Sequence, residues 1–196
     1  MSLDTVRDGE LAAVVTYLDM RERPEVRVPP SPLRLEPLAA DPDAYRALFR
    51  AVGARWLWFS RLIMDDAALL AIIGDPAVEV IAVEDGSQQV GLLELDFRVA
   101  GECELAFVGL VPGLAGLGHG RWLLAEALRL AWRSGVRRVH VHTCTLDHPA
   151  ALAAYLRAGF TAYTRSVETF ADPRLLGVLP LDCAPQLPVL GTLATG

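Results

Sequence analysis

Four glycines lie within residues 113–120, which read GLAGLGHG. An apolar, strand-like run precedes this segment and a helix-like run follows it. The first amides of a helix have no partner within the helix, and glycine allows an anion to approach them closely. The segment is therefore predicted to bind a phosphate-like group, although a plain turn would also explain one of the glycines.

Two well-known phosphate loops do not fit this segment. The dinucleotide fingerprint G-x-G-x-x-G, started at Gly116, needs glycine where Arg121 stands, and the strands predicted upstream are antiparallel. A P-loop needs Lys after its second glycine, but His119 follows Gly118. A dehydrogenase-like nucleotide binder is therefore disfavoured.

Three side chains with metal-ligand chemistry alternate further along the chain, at His140, His142 and Cys144. Alternate side chains of a strand leave on one face, so these three are expected to point the same way. Ligands on one straight strand diverge, whereas a metal site needs them to converge. We therefore expect no metal site and keep His142 as an alternative general base. The nearby Asp147 is expected to cap the following helix.

The composition excludes several mechanisms. The chain contains no Lys and no Asn, which rules out a Schiff-base lysine, a Ser-Lys pair, a Cys-His-Asn triad and N-glycosylation. Its 18 basic residues, all Arg, face 24 acidic residues and give a net charge of −6. Nucleic acid is therefore a disfavoured partner, and the field of the protein favours a cationic small molecule.

The sequence also bears on where the protein is expected to reside. No apolar run approaches the roughly 18 residues of a membrane span, and the N-terminal segment is acidic where a signal peptide would be basic. The three cysteines are far apart and odd in number, which is typical of reduced thiols. We therefore expect a cytoplasmic protein without a membrane partner.

The elements that would position these residues follow from hydrophobic periodicity. Three antiparallel strands are predicted before the glycine segment and a helix directly after it. Strand, glycine loop, helix and strand then form a right-handed βαβ unit. The sequence thus predicts a single α/β domain in which helices flank a mixed, mostly antiparallel sheet. The predicted strands are 78–83, 90–97, 102–111, 136–143 and 160–170, and further helices begin near residues 41, 65 and 149.

Two motifs, residues 108–120 and residues 148–160, together resemble the GNAT superfamily of N-acetyltransferases. The first is similar to the family's strand and acyl-coenzyme A loop, and the second, HPAALAAYLRAGF, to its Asn-x-x-Ala-x-x-x-Tyr-x-x-x-Gly-Phe segment. The resemblance covers residues 33–171. It leaves residues 1–32 as an extension with one predicted strand, and 172–196 as a Pro- and Leu-rich tail, expected to be irregular and to lie on the surface or on a partner.

The resemblance implies acetyl transfer from acetyl-coenzyme A to a primary amine, a small molecule or a protein N-terminus, by direct attack through a tetrahedral intermediate. In the family, the strand before the loop splays from the next parallel strand, and the cofactor pairs with its backbone. Side-chain identity at Gly109 is then expected to matter little, whereas Ala115 departs from the family's Arg or Gln. The implied cofactor-binding residues are Val108, Gly109, Leu110, Gly116, Leu117, Gly118, His119, Gly120, Arg121 and His148.

Two catalytic residues are also implied by the resemblance. Tyr155 matches the family tyrosine that protonates the departing thiolate, and Glu104 lies where the family often has a glutamate base. Trp56, Trp58 and Phe59 are expected in the core rather than in a pocket. The departure from the loop pattern leaves a second hypothesis, a non-catalytic acyl-coenzyme A binding module. The Leu-rich tail and the N-terminal strand are compatible with a homodimer.

Overall fold

A seven-stranded sheet forms the centre of the computed structural model, which describes residues 3–192. The strands follow the order β2-β3-β4-β5-β6-β1-β7, and only β5 and β6 pair in parallel. The predicted mixed, mostly antiparallel sheet is thereby confirmed. The strands are β1 (Glu10–Met20), β2 (Arg34–Pro37), β3 (Val78–Asp85), β4 (Gln88–Asp96), β5 (Glu102–Leu110), β6 (Arg138–Cys144) and β7 (Thr161–Ala171).

Four α-helices connect the strands within residues 3–192, and the first two begin at acidic N-caps. The Asp41 carboxylate accepts hydrogen bonds from the amides of Asp43 and Ala44, and the Asp65 carboxylate accepts one from Ala68. These bonds satisfy amides that the first turn leaves without partners. The helices are α1 (Pro42–Gly53), α2 (Asp66–Ile73), α3 (His119–Ala131) and α4 (Ala151–Arg157).

The sheet has a hydrophobic core on each face. Leu92 and Leu93 are neighbours on β4, yet Leu92 packs with α1 and α2 whereas Leu93 packs with α3. Successive side chains of a strand point to opposite faces, so the helices form two layers around the sheet. Each fully buried Leu contributes roughly 1.5–3 kcal/mol relative to exposure. No helix among residues 3–192 is both long and apolar enough to cross a membrane.

The strand predicted near the N-terminus is an integral part of the sheet. β1 lies between β6 and β7 and pairs antiparallel with both. Its register places Tyr17 opposite His142 on β6 and Ala13 opposite Glu168 on β7. The segment that follows β1 runs beside α3, where Val26 packs against the core. The N-terminal segment therefore contributes both the strand between β6 and the edge strand β7 and part of the surface near the glycine loop.

The C-terminal tail is irregular over residues 172–192, as predicted, and this part of it packs against the rest of the chain. Leu179 and Ala184 are buried together with Leu57 from the connection between α1 and α2. Asp172 and Arg174 form a buried ion pair with an Oδ2–Nη2 distance of 2.7 Å. The tail thus supports the α1–α2 connection from outside.

Candidate active site

The parallel strands β5 and β6 separate along their length. Their pairing ends where Glu104 lies opposite His140, although β5 continues to Leu110 and β6 to Cys144. On its other side, β5 has a β-bulge, where Leu105 and Phe107 pair with β4 but the residue between them does not. A cavity of about 1120 Å³ opens in and around the resulting gap. This is the strand geometry that the resemblance implied.

The backbone of β5 turns polar groups into this gap. The Val111 amide donates to the Val90 carbonyl on the β4 side at 2.8 Å. Backbone groups of successive residues in a strand point to opposite sides, so the amides and carbonyls of Leu110 and Val108 face away from β4. The unpaired edge of β5 therefore offers donors and acceptors to a ligand with amide groups.

The glycine loop is open toward the cavity. Gly116 and Gly118 have φ angles of +79° and +86°, which side chains rarely adopt. A Cβ atom added at Gly113, Gly116, Gly118 or Gly120 would meet no atom within 4 Å. Gly118 is the N-cap of α3 and makes no side-chain cap. The Arg121 amide donates to the Gly118 carbonyl at 3.2 Å, which leaves the amides of His119 and Gly120 to bind an anion.

The predicted cofactor residues divide into two groups. Those that line the cavity are Val108, Gly109, Leu110, Gly116, Gly118, Gly120, Arg121 and His148. Leu117 lies at the tip of the loop, 63% exposed, and His119 turns toward Ser31, with Nδ1 and Oγ 3.5 Å apart. Neither of these two side chains lines the cavity.

Three arginines line the cavity, although the glycine loop itself contains none. Arg121 lies on α3, Arg157 on α4 and Arg27 on the segment after β1, and Ala115 lines the same cavity. Among residues 3–192, neither Arg121 nor Arg157 forms an ion pair, whereas Arg27 lies 3.3 Å from the exposed Glu25. Arg121 and Arg157 therefore bring two positive charges to the cavity that no acidic side chain among residues 3–192 pairs with.

On the opposite side of the gap, His142 lines the cavity and Glu104 lies behind it. His142 Nδ1 and Glu104 Oε1 are 3.3 Å apart. This hydrogen bond raises the pKa of His142, against the effect of burial, and lowers the pKa of Glu104. Glu104 does not line the large cavity but a separate one of about 310 Å³. The geometry therefore places the imidazole, rather than the carboxylate, toward a ligand.

Tyr155 lines the cavity from α4 and packs edge-on against Phe160, with ring centroids 5.8 Å apart. Burial raises the pKa of its phenol, and the negative charge of Asp147 raises it further. The hydroxyl therefore stays protonated through the physiological range. It can donate a proton to a strongly basic group formed beside it.

Asp147 is not the helix cap that the sequence suggested. α4 begins at Ala151, and Asp147 makes no bond to its first turn; the amide of the N-cap residue Ala150 donates to His148 Nδ1 at 3.1 Å. Instead, Asp147 Oδ2 accepts hydrogen bonds from Thr143 Oγ1 at 2.7 Å and from the Cys144 amide at 2.9 Å. Its side chain thus closes the turn after β6, because that turn offers donors nearer than the helix does.

Gly109 is more constrained than the sequence suggested. A Cβ atom there would lie 2.7 Å from Val52 Cγ1 and 3.0 Å from Trp58 Cη2. The expectation that side-chain identity matters little at this position is therefore wrong, because the indole occupies the space. Trp56, Trp58 and Phe59, expected in the core, all line the cavity.

The sequence did not indicate all of the residues that line the cavity. The alternation of His140, His142 and Cys144 did indicate a common face, but nothing local shows that Glu104 lies behind His142. Glu168 on β7 also lines the cavity, and it faces the site only because β1 brings β7 alongside β6. Within the described part of the chain, no group of three or more His, Cys, Asp or Glu side chains is arranged to hold a metal ion.

Comparison of the sequence with protein-family models matches residues 46–160 to the acetyltransferase (GNAT) family. A comparison with curated protein sequences finds no match.

Solved structures share the fold at low sequence identity. The GCN5-related N-acetyltransferase from Sphaerobacter thermophilus has a TM-score of 0.60 and 20% identity, covering 81% of this chain and 51% of its own. The GCN5-related N-acetyltransferase from Kribbella flavida has a TM-score of 0.55 and 17% identity, covering 84% and 60%. An aminoglycoside acetyltransferase from an uncultured soil metagenomic sample, in complex with trehalose, has a TM-score of 0.54 and 21% identity, covering 69% and 93%. The chain thus spans about half the length of the Sphaerobacter protein.

Proposed function

Because this chain belongs to the GNAT acetyltransferase family, we propose that it transfers an acetyl group from acetyl-coenzyme A to a primary amine. The observation that carries the proposal is the gap between β5 and β6, which opens onto the free amides of the glycine loop. A second feature supports it. The cavity is lined by Arg121 on α3, by Arg157 on α4 and by the carboxylate of Glu168 on β7, which suits an anionic cofactor and a cationic acceptor.

The residues present fit coenzyme A. The unpaired backbone groups of Val108 and Leu110 would bind the amides of the pantetheine arm. The first turn of α3, with Arg121 and Arg157, would bind phosphate oxygens, so the arginine that position 115 lacks is replaced from neighbouring elements. Bound acetyl-coenzyme A supplies an acetyl group activated as a thioester.

The side chains at the gap would move the protons. His142 accepts the proton that the acceptor nitrogen loses as its N–C bond to the acetyl group forms, and Glu104 holds the imidazole and stabilises its charged form. An amide on the open edge of β5 donates to the carbonyl oxygen as negative charge develops there. Tyr155 would give its proton to the coenzyme A sulfur as the C–S bond of the thioester breaks. The role of base that the resemblance implies for Glu104 is thereby divided: His142 accepts the proton, and Glu104 stabilises the charged imidazole.

The test is release of free coenzyme A thiol from acetyl-coenzyme A in the presence of a panel of amines. We expect Tyr155→Phe to lower kcat by about 10²–10⁴, the usual contribution of general acid–base catalysis, and to leave coenzyme A affinity unchanged. Tyr163→Phe is the matched control, because Tyr163 lies on β7 and does not line the cavity.

Thermal shift with acetyl-coenzyme A and with NAD separates the alternatives. Stabilisation by acetyl-coenzyme A is expected, and stabilisation by NAD alone would overturn the proposal. Binding of acetyl-coenzyme A without thiol release for any amine would instead favour the non-catalytic binding module.

A further inference from the structure

One carboxylate of the cavity has no partner inside the protein. The side chain of Glu168 on β7 is exposed and lines the cavity, and it forms neither an ion pair nor a hydrogen bond with any residue between 3 and 192. The other cavity carboxylates are engaged, because Glu25 pairs with Arg27 and Asp147 bonds to the turn after β6. Glu168 is therefore available to a ligand.

The strand register separates Glu168 from His142. His142 lies opposite Tyr17 and Glu168 lies opposite Ala13, four residues away on β1. At a strand rise of about 3.3 Å per residue, the two positions are offset by roughly 13 Å along the sheet. The Glu168 carboxylate nevertheless contributes to raising the pKa of His142, so both groups face the same region. Because of this offset, an amine nitrogen that is hydrogen-bonded to His142 cannot also contact Glu168.

The surface between them is mainly apolar. Val15 and Cys144 form the cross-strand pair between these two positions, and both line the cavity. Beside Glu168, the rings of Phe59 and Phe170 lie 5.1 Å apart and also line the cavity. Such a surface suits a hydrocarbon chain, and aromatic faces next to a carboxylate suit a cation.

We infer that the acceptor is an elongated amine with a second positive charge, separated from the reacting nitrogen by an apolar chain, and that Glu168 binds this second charge. The inference rests on the proposed acetyl transfer and adds the substrate class. His142 then receives the proton of the reacting nitrogen, while Glu168 stays ionised and sets the length of acceptor that fits.

The test compares α,ω-diamines, from butanediamine to dodecanediamine, with n-alkylamines of the same chain length. The wild-type protein is expected to acetylate the longer diamines with a kcat/KM about tenfold to a hundredfold above the matched alkylamines, the contribution of one charge-assisted contact. Glu168→Gln should reduce this ratio to near one; each variant's diamine kcat/KM is divided by its own alkylamine kcat/KM, so that the effect of Glu168 on the pKa of His142 cancels. Glu10→Gln on β1 removes the same charge outside the cavity and should leave the ratio unchanged.

The outcomes separate this inference from the proposed function. Equal kcat/KM for diamines and alkylamines in the wild-type protein would overturn the inference while acetyl transfer stands. A diamine preference that survives in Glu168→Gln would equally overturn the role of Glu168. If no amine releases thiol, the proposed function itself fails.

Discussion

The indole N–H of Trp58 donates to Asp147 Oδ1 at 3.1 Å, which links the α1–α2 connection to the turn after β6 across the cavity. Asp147 also lies close enough to Tyr155 to raise its pKa. One carboxylate therefore joins the wall of the cavity to the residue proposed as the general acid.

Trp58→Phe keeps an aromatic ring but removes this donor. We expect a loss of about 1 kcal/mol in the free energy of unfolding, the typical net contribution of one hydrogen bond, measured by urea denaturation. Trp56→Phe is the matched control. The Trp56 ring packs edge-on against His148, and its indole N–H donates no hydrogen bond to any residue between 3 and 192. Equal losses in both variants would contradict the importance of the Trp58–Asp147 bond.

The pH dependence of acetyl transfer should follow the ionisation of His142, whose pKa is set by its contact with Glu104. A base must be neutral, so the rate should rise with pH through the pKa of His142, which Glu104 raises above its ordinary value. Glu104→Gln removes that carboxylate, so the pKa falls and the acid limb of kcat/KM against pH should move to lower pH. Glu102→Gln should not move it, since Glu102 lies near Arg138 and His140. An acid limb unmoved in Glu104→Gln would exclude His142 as the titrating base.

Substitution of Gly109 should disturb the cavity from the side of α1. In Gly109→Ala, the new methyl group would contact Val52 and Trp58 at distances that force the indole to move. Overpacking of this kind costs typically 1–3 kcal/mol, and the tryptophan fluorescence should change as well. Gly113→Ala adds a methyl group where no atom lies within 4 Å and should be tolerated. A Gly109→Ala protein as stable as wild type would show that Trp58 is not fixed against β5.

A buried ion pair anchors the segment that carries Trp58. Glu94 on β4 is fully buried and accepts hydrogen bonds from Tyr45 and from Arg61 Nη2, the latter at 2.6 Å. Arg61→Met leaves this carboxylate with one fewer partner in the core, so we expect a loss of about 3–5 kcal/mol in the free energy of unfolding. Arg50→Met on the exposed side of α1 serves as the control and should change stability little. If both variants unfold at the same urea concentration, the pair does not stabilise the fold.

The parts of the fold that depend on near neighbours could be predicted from the sequence. The cap at Asp41 and the glycine loop follow from residues within a few positions of each other, and the βαβ unit follows from three consecutive elements; the structure contains all three. The roles of Glu168 and Trp58 could not be predicted. Each depends on a contact between residues far apart in the chain, and a strand's own residues do not show which strand will pair with it.

β1 has a consequence for how the site assembles. β7 pairs with β1 alone, and β1 separates it from β6, so a protein shortened to residues 33–171 would lose the strand that brings Glu168 beside His142. During synthesis, β1 leaves the ribosome before β6 and β7 and must await them, since they follow more than a hundred residues later. Long-range pairings of this kind form slowly. The acceptor side of the cavity is therefore expected to be among the last parts of the protein to fold.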